Sequence, residues 1–169
     1  MAAGSTYTPI ATTTLGSAQA SVTFSSISGS YTDLIIVTNT GVASGGGGSI
    51  YVQVGNGSVD TGSNYSYTYL QGDGSTAETG RSSNLTAART MRTTGTTVVA
   101  NGSLHLMNYS NTTTYKTMLS RGNVAGGLVI ALVNLWRSTS AINVITMTDE
   151  SGRNFVTGST FTLYGIAAE

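Results

Sequence analysis

The sequence predicts an all-β protein, an antiparallel β-sandwich of about 8–10 strands, jelly-roll-like, with little or no helix. Three observations carry this. Runs rich in Val, Ile, Thr, Tyr and Phe recur at short intervals, and these residues suit a pleated, half-buried surface. The runs are separated by Gly, Asn and Ser clusters, with a single proline, Pro9, in the whole chain. Only 8% of the 169 residues are charged, while 22 Ser and 29 Thr supply the polar surface; an average domain is about 25% charged. Strands at regular short spacing with no helical segments between them are the mark of a sandwich or barrel.

In chain order, residues 1–15 are a candidate extended N-terminal arm to a single domain spanning 1–169. Strands are expected near Ser21–Ser25, Asp33–Asn39, Ser49–Gly55, Ser66–Leu70, Leu85–Met91, Val98–Tyr109, Tyr115–Ser120, Gly127–Trp136, Ile142–Thr148 and Thr160–Ile166. Val22 and Phe24 alternate with polar neighbours, as do Leu104 and Leu106, and Phe161 and Leu163, so each pair points into a core. Leu34-Ile35-Ile36-Val37 is apolar on both faces, as a central strand would be. Asn84–Arg92 also carries the spacing of one short helical turn. Gly45–Gly48 reads as a mobile loop between strands, because consecutive glycines impose no conformation of their own.

The totals restrict function. There are no cysteines and one histidine, His105, too few soft ligands for a zinc centre. His105 lies between Leu104 and Leu106 and reads as a half-buried strand histidine, without a nucleophile motif nearby. Seven acids are scattered without the spacing of a paired-carboxylate site or a calcium loop; Asp60 and Asp73 read as turn-forming aspartates that bond their own backbone. The Gly-rich stretch lacks the Lys-Ser/Thr of a phosphate loop. Net charge is zero and the six arginines form no stripe, so a nucleic-acid footprint is absent. No apolar run reaches the roughly 18 residues of a membrane helix, and the first residues do not resemble a secretory signal. The expectation is a non-enzymatic protein with no cofactor, no metal, no nucleic-acid partner and no membrane.

The candidate contact residues are aromatic and cationic. Tyr65, Tyr67 and Tyr69 share one strand face at period 2, and Tyr109 and Tyr115 flank the polar turn 110–114. Tyrosine faces stack on sugars and anchor protein interfaces; alternatively they cap a core edge. Trp136, the sole tryptophan, reads as a core or intersubunit plug ahead of a ligand platform, and with Arg137 it completes the set. Low charge and zero net charge favour an assembled state over a free monomer.

Several blocks resemble small β-rich virion proteins of tailed bacteriophages, cyanophages among them. These are Ser21–Ile27 with Tyr31–Leu34, Thr61–Ser66 leading to Leu70–Ser75, Leu106–Asn111 with Lys116, and Trp136-Arg137 through Asn154-Phe155 to the closing Gly158–Ile166. The resemblance implies a capsid decoration or cement protein, or a tail-fibre or knob subunit, located on the virion after assembly in the host cytoplasm. It implies a homo-oligomer, a homotrimer first, partnered by other capsid or tail proteins. The alternative is a carbohydrate- or host-receptor-binding module, with a host surface glycan as partner and the Tyr65–Tyr69 strand and the loops around Gly72 and Asn111 as its face.

Overall fold

The computed structural model describes residues 6–97 and 100–167. The chain forms thirteen strands: β1 (Tyr7–Thr14), β2 (Ser21–Phe24), β3 (Asp33–Thr40), β4 (Gly48–Asn56), β5 (Ser58–Val59), β6 (Tyr65–Gly72), β7 (Ala77–Leu85), β8 (Ala88–Thr93), β9 (Ala100–Leu106), β10 (Lys116–Val124), β11 (Leu128–Trp136), β12 (Val144–Asp149) and β13 (Thr160–Ile166). No helix occurs among the described residues. The strands build two sheets. The larger has eight strands in the order β1-β13-β3-β9-β10-β11-β6-β7; the smaller has the order β2-β12-β4-β5, with β8 also paired to β4. Every pairing is antiparallel.

The β-sandwich expectation holds. The strand count exceeds it, because three strands carry too little apolar patterning to be seen. β1 occupies most of the expected N-terminal arm, yet it pairs along its length with β13, from Tyr7↔Ile166 to Thr14↔Thr160. β5 has only two residues. β7, with sequence AETGRSSNL, is an edge strand and exposed along most of its length, so nothing selects for apolar alternation. The expected strand Leu85–Met91 straddles the end of β7 and the start of β8, and its helical turn is instead a bend at Thr86-Ala87. The expected strand from Val98 starts outside the described residues and ends at Leu106.

The core lies between the sheets. Leu34, Ile36, Leu104, Leu106, Met118, Phe161 and Leu163 project from the larger sheet onto Val22, Phe24, Ile50, Val52, Val54, Ile145 and Met147 of the smaller. Burial of such side chains contributes about 1.5–3 kcal/mol each, the driving term for closing the sandwich. Strand β8 approaches the larger sheet over a gap left by two glycines. Gly102 and Gly122 face each other across β9 and β10. A Cβ on Gly102 would lie 2.4 Å from the Cγ of the fully buried Met91, and one on Gly122 would lie 2.9 Å from the Asn101 carbonyl oxygen. The Thr38 hydroxyl donates to Met91 Sδ at 3.3 Å. The β6–β7 hairpin turns at Gly74 (φ 89°), a conformation an L side chain resists. The Asp73 carboxylate accepts from Ser75 N–H and Thr76 N–H there, at 2.8 and 2.7 Å.

The smaller sheet covers one face only. Ile35 and Val37 of β3 and Val129, Ala131 and Val133 of β11 alternate with buried residues and point away from the core. The two-sided apolar runs of the sequence do mark central strands, but their second face is open.

Gly102→Ala should lower stability by about 1–3 kcal/mol through overpacking against Met91. Gly127→Ala, where an added methyl meets nothing within 4 Å, should leave it within about 0.5 kcal/mol. Urea unfolding of both variants checks the pair, and equal midpoints would refute the close-approach account.

Candidate functional site

The seven sequence-selected residues do not come together as one surface. Tyr65, Tyr67 and Tyr69 do share a face, but it is the inner face of the larger sheet; Ser66, Thr68 and Leu70 point outward. Tyr65 is fully buried. Its hydroxyl accepts from Val54 N–H at 3.0 Å and lies 3.1 and 3.0 Å from the Val54 and Asp60 carbonyl oxygens, the acceptors for its proton. Burial pushes the phenol well above its ordinary value. Trp136 stacks on Tyr65, with ring centroids 6.4 Å apart, and donates its indole N–H to Asp60 Oδ2 at 2.8 Å. Tyr109 is also fully buried; its hydroxyl donates to the Ser28 carbonyl and accepts from Tyr31 N–H. Tyr65, Tyr109 and Trp136 are therefore core residues, a correction to their reading as contacts: an indole or phenol with a bonded polar tip is an economical way to fill a wide core. Tyr67 and Tyr69 are half-buried, with the Arg89 guanidinium 5.7 and 5.6 Å from their ring centroids. That contact closes the end of the sandwich and occupies ring faces that a sugar would need. Tyr115 alone of the tyrosines in the set is exposed. Arg137 is half-buried and donates to the Ser63 carbonyl at 2.7 Å and to Asn84 Oδ1 at 3.1 Å, tying the loop before β6 to the end of β7.

The few ions are structural in their geometry. Asp60 also accepts from Gly62 N–H and the Asn64 amide, both at 2.8 Å. Burial works to raise its carboxyl, but the Trp136, Asn64 and Gly62 donors outweigh it and hold the group below the usual carboxylate range. Asp149 has no exposed side-chain surface. Arg153 reaches it with a two-pronged contact, Nε to Oδ2 at 2.8 Å and Nη2 to Oδ1 at 2.9 Å. Burial opposes ionisation of Asp149, yet the Arg153, Ser151 N–H and Thr93 donors prevail and its carboxyl is held low. The remaining Arg153 nitrogen, Nη1, donates to the carbonyls of Ser44, Gly45 and Gly46 at 3.3, 3.1 and 2.8 Å. The glycine stretch expected to be a mobile loop is thus clamped by a guanidinium, whose position in the sequence gives no hint of the contact. Lys116 is almost fully buried, its ammonium held by the Thr114 and Thr139 carbonyls at 2.8 and 3.2 Å; burial pulls it below the ordinary lysine value.

His105 points to the outer face. Its Nε2 lies 2.8 Å from Asp33 Oδ2, and Asp33 Oδ1 accepts from Asn108 N–H at 2.7 Å. Ser103, two residues along the same face, is bonded to Arg121 Nε at 3.2 Å. No group of three or more His, Cys, Asp or Glu side chains that could hold a metal occurs among the described residues.

That outer face is the surface feature that sequence reading missed. The strand registers place its side chains in rows. One row runs Tyr164–Ile35–His105–Leu119–Val133–Thr68, the next Thr162–Val37–Ser103–Arg121–Ala131–Leu70, and the third Thr160–Asn39–Asn101–Asn123–Val129. Five aliphatic side chains stand in solvent: Val37 at 45%, Leu70 at 56%, Leu119 at 41%, Val129 at 62% and Val133 at 52% exposure. Val37, Leu70, Leu119 and Val133 border a concave trough of about 920 Å³. The signal was present in the doubly apolar runs of β3 and β11.

No family model matches the chain, and no curated protein sequence matches it. Among solved structures it is similar to CG-16, a homodimeric agglutinin from chicken liver, at a TM-score of 0.33 and 8% identity over 83% of this chain and 98% of that one. A toad ovary galectin in complex with thio-digalactose gives a TM-score of 0.29 at 8% identity, over 76% of this chain and 98% of that one. The alginate lyase Aly36B in complex with an alginate tetrasaccharide gives 0.29 at 12% identity, over 88% and 81% of the respective chains.

Arg153→Met leaves Asp149 buried without its partner and should cost about 3–5 kcal/mol. In limited proteolysis the segment 44–48 should become the first site cut. The acid limb follows from the sign of the shift. A carboxylate whose folded value is depressed stabilises above its unfolded value, near 3.9, and loses that contribution as pH falls through the folded value. Unfolding midpoints should therefore be flat between about pH 5 and 7 and fall below about pH 4. The fall should be shallower in Asp149→Asn/Arg153→Met, and an unchanged acid slope in that double variant would contradict the assignment.

Proposed function

We propose that this chain is a non-enzymatic structural subunit of a bacteriophage particle, a small surface component that assembles with copies of itself through the outer face of its larger sheet. The observation that carries the reading is the band of five exposed aliphatic side chains on that face. Isolated apolar residues on a surface need no explanation, whereas a contiguous patch marks an interaction site. Eight strands about 4.8 Å apart, each of about eight residues, present roughly 900 Å², which matches the roughly 800 Å² per partner of a standard interface. The composition supports the same reading. Hydroxyl and amide groups enter an interface at lower desolvation cost than ions. The blocks that resemble tailed-phage virion proteins support the particle, as a decoration, cement, knob or fibre subunit, and a trimer is the favoured state.

The second reading is a carbohydrate- or receptor-binding module. The inward orientation of Tyr65, Tyr67 and Tyr69 takes the tyrosine strand out of the face first expected for it, while the loops around Gly72 and Asn111 stay at the surface. The concavity of the outer face and its polar corner now favour that surface instead.

Multi-angle light scattering at micromolar concentration should give a multiple of the 17.3 kDa chain mass, with three copies expected. Leu119→Asp/Val133→Asp should dissociate it to monomer with the fold intact by circular dichroism. A wild-type monomer at that concentration, or a double variant that stays assembled, overturns the assembly reading.

A further inference from the structure

We infer that the polar corner of the outer face is a binding site for an acidic saccharide, with Arg121 as the carboxylate clamp and Asn39, Asn101 and Asn123 as the hydroxyl readers. The inference rests on the second reading above and names its residues and its substrate class.

The site is built by strand register. Asn39 of β3 lies opposite Asn101 of β9, which lies opposite Asn123 of β10. The three outward-pointing amides form a row at about 4.8 Å spacing. One row along, Ser103 and Arg121 sit opposite each other and are joined by the Arg121 Nε–H bond to Ser103 Oγ at 3.2 Å. That bond fixes the plane of the guanidinium and leaves its two terminal amino groups without a partner among the described residues. None of the three asparagine amides has a side-chain bond among the described residues either, although Asn is usually tied to its own backbone in loops. Asn101, Asn123, Ser103 and Arg121 line a shallow depression of about 420 Å³ whose apolar margins are Val37 and Val129, and Asn39 continues the amide row beyond it.

The chemistry of these groups selects the occupant. A side-chain amide donates and accepts at once, which suits hydroxyls that do the same, and three in a line suit hydroxyls displayed along adjoining sugar rings. A planar guanidinium with both terminal amino groups free suits a carboxylate, to which its Nη1–Nη2 edge can bond in a two-pronged fashion. Val37 and Val129 offer aliphatic contact to the C–H faces of a ring. No carboxylate is bonded to Arg121 within the described residues, so the charge is free for an external acid. A nucleic-acid phosphate would need further cations along its track, and the neighbouring positions on these rows are Asn, Ser and Val.

Titration of the protein, and of Leu119→Asp/Val133→Asp in which the outer face stands free of sister copies, with tetragalacturonate, followed by the amide side-chain resonances of asparagine, tests the site, with the neutral maltotetraose as control. The acidic sugar should bind at least tenfold more tightly than the neutral one, more weakly as salt is raised. Arg121→Gln should remove that preference, Arg121→Lys should retain part of it, and Asn101→Ala should weaken both sugars severalfold. All three substitutions lie on the surface, and unchanged melting temperatures confirm intact folding. Equal binding of the two sugars that is lost in Asn101→Ala overturns the acidic specificity while leaving a saccharide site. No shift with either sugar at about 10 mM, together with an empty glycan array, overturns the saccharide reading as well. Binding that survives Arg121→Gln unchanged overturns the clamp.

Discussion

The contact on which the rest of the molecule depends is the closure of the smaller sheet over the inner face of the larger one. It is made by apolar side chains, mostly aliphatic in number, with Phe24, Phe155, Phe161 and the stacked Tyr65–Trp136 pair among the largest. Because ions are scarce, the polar groups of that core that are bonded take backbone partners and a handful of carboxylates, while the buried side chains of Thr40, Ser120 and Asn134 have no partner among the described residues. Asp60 shows how this works. One side chain takes the indole proton of Trp136, an amide proton of Asn64 and a backbone proton of Gly62, and so fixes the loop ahead of β6 to the last residue of β11. Asp60 is only partly buried, so removal of one donor would cost about the net worth of that bond, roughly 1–2 kcal/mol.

A sheet has two faces, and this chain can cover only one. The smaller sheet spans fewer strands than the larger, and no helix lies over the outside. The exposed rows of β3, β10 and β11 therefore follow from there being only two layers, with nothing over the outside among the described residues. Their sequence did not adapt to solvent as an outer face usually does in antiparallel sheets. Leu119, Val129 and Val133 stand where Lys, Glu or Thr would suffice for a monomer. This retention of aliphatic side chains is what supports an assembly reading, and the polar corner around Arg121 marks where the same face changes character.

Much of the architecture was legible because strand period is a local property. Val22 and Phe24, Leu104 and Leu106, and Phe161 and Leu163 each pointed inward as their alternation required. What period cannot give is the sign of a face when both sides carry plausible residues. Tyr65, Tyr67 and Tyr69 alternate with Ser66, Thr68 and Leu70, and period alone leaves open whether the tyrosines form a contact face or cap a core edge. Tyr65 instead finds Val54 and Asp60, partners 11 and 5 residues away in sequence that only the fold brings close. The Asn39–Asn101–Asn123 row was invisible for the same reason: its members are far apart in the chain and meet only through register. β1 and β7, at the two edges, were lost because an edge strand has neighbours on one side and so carries a weaker apolar pattern.

The segment 44–48 gives a warning about how tolerance to substitution is read from composition. Four successive glycines look like the most permissive stretch of the chain. Here the space beside them is already taken: a Cβ on Gly48 would lie 2.3 Å from Arg153 Nη2, and one on Gly47 would lie 3.2 Å from Arg92 Nη2. The Arg153 guanidinium cannot swing aside without giving up Asp149. In a saturation screen Gly48 should therefore behave like a packed interior position, while Gly45, with open space around it, accepts what its neighbour refuses.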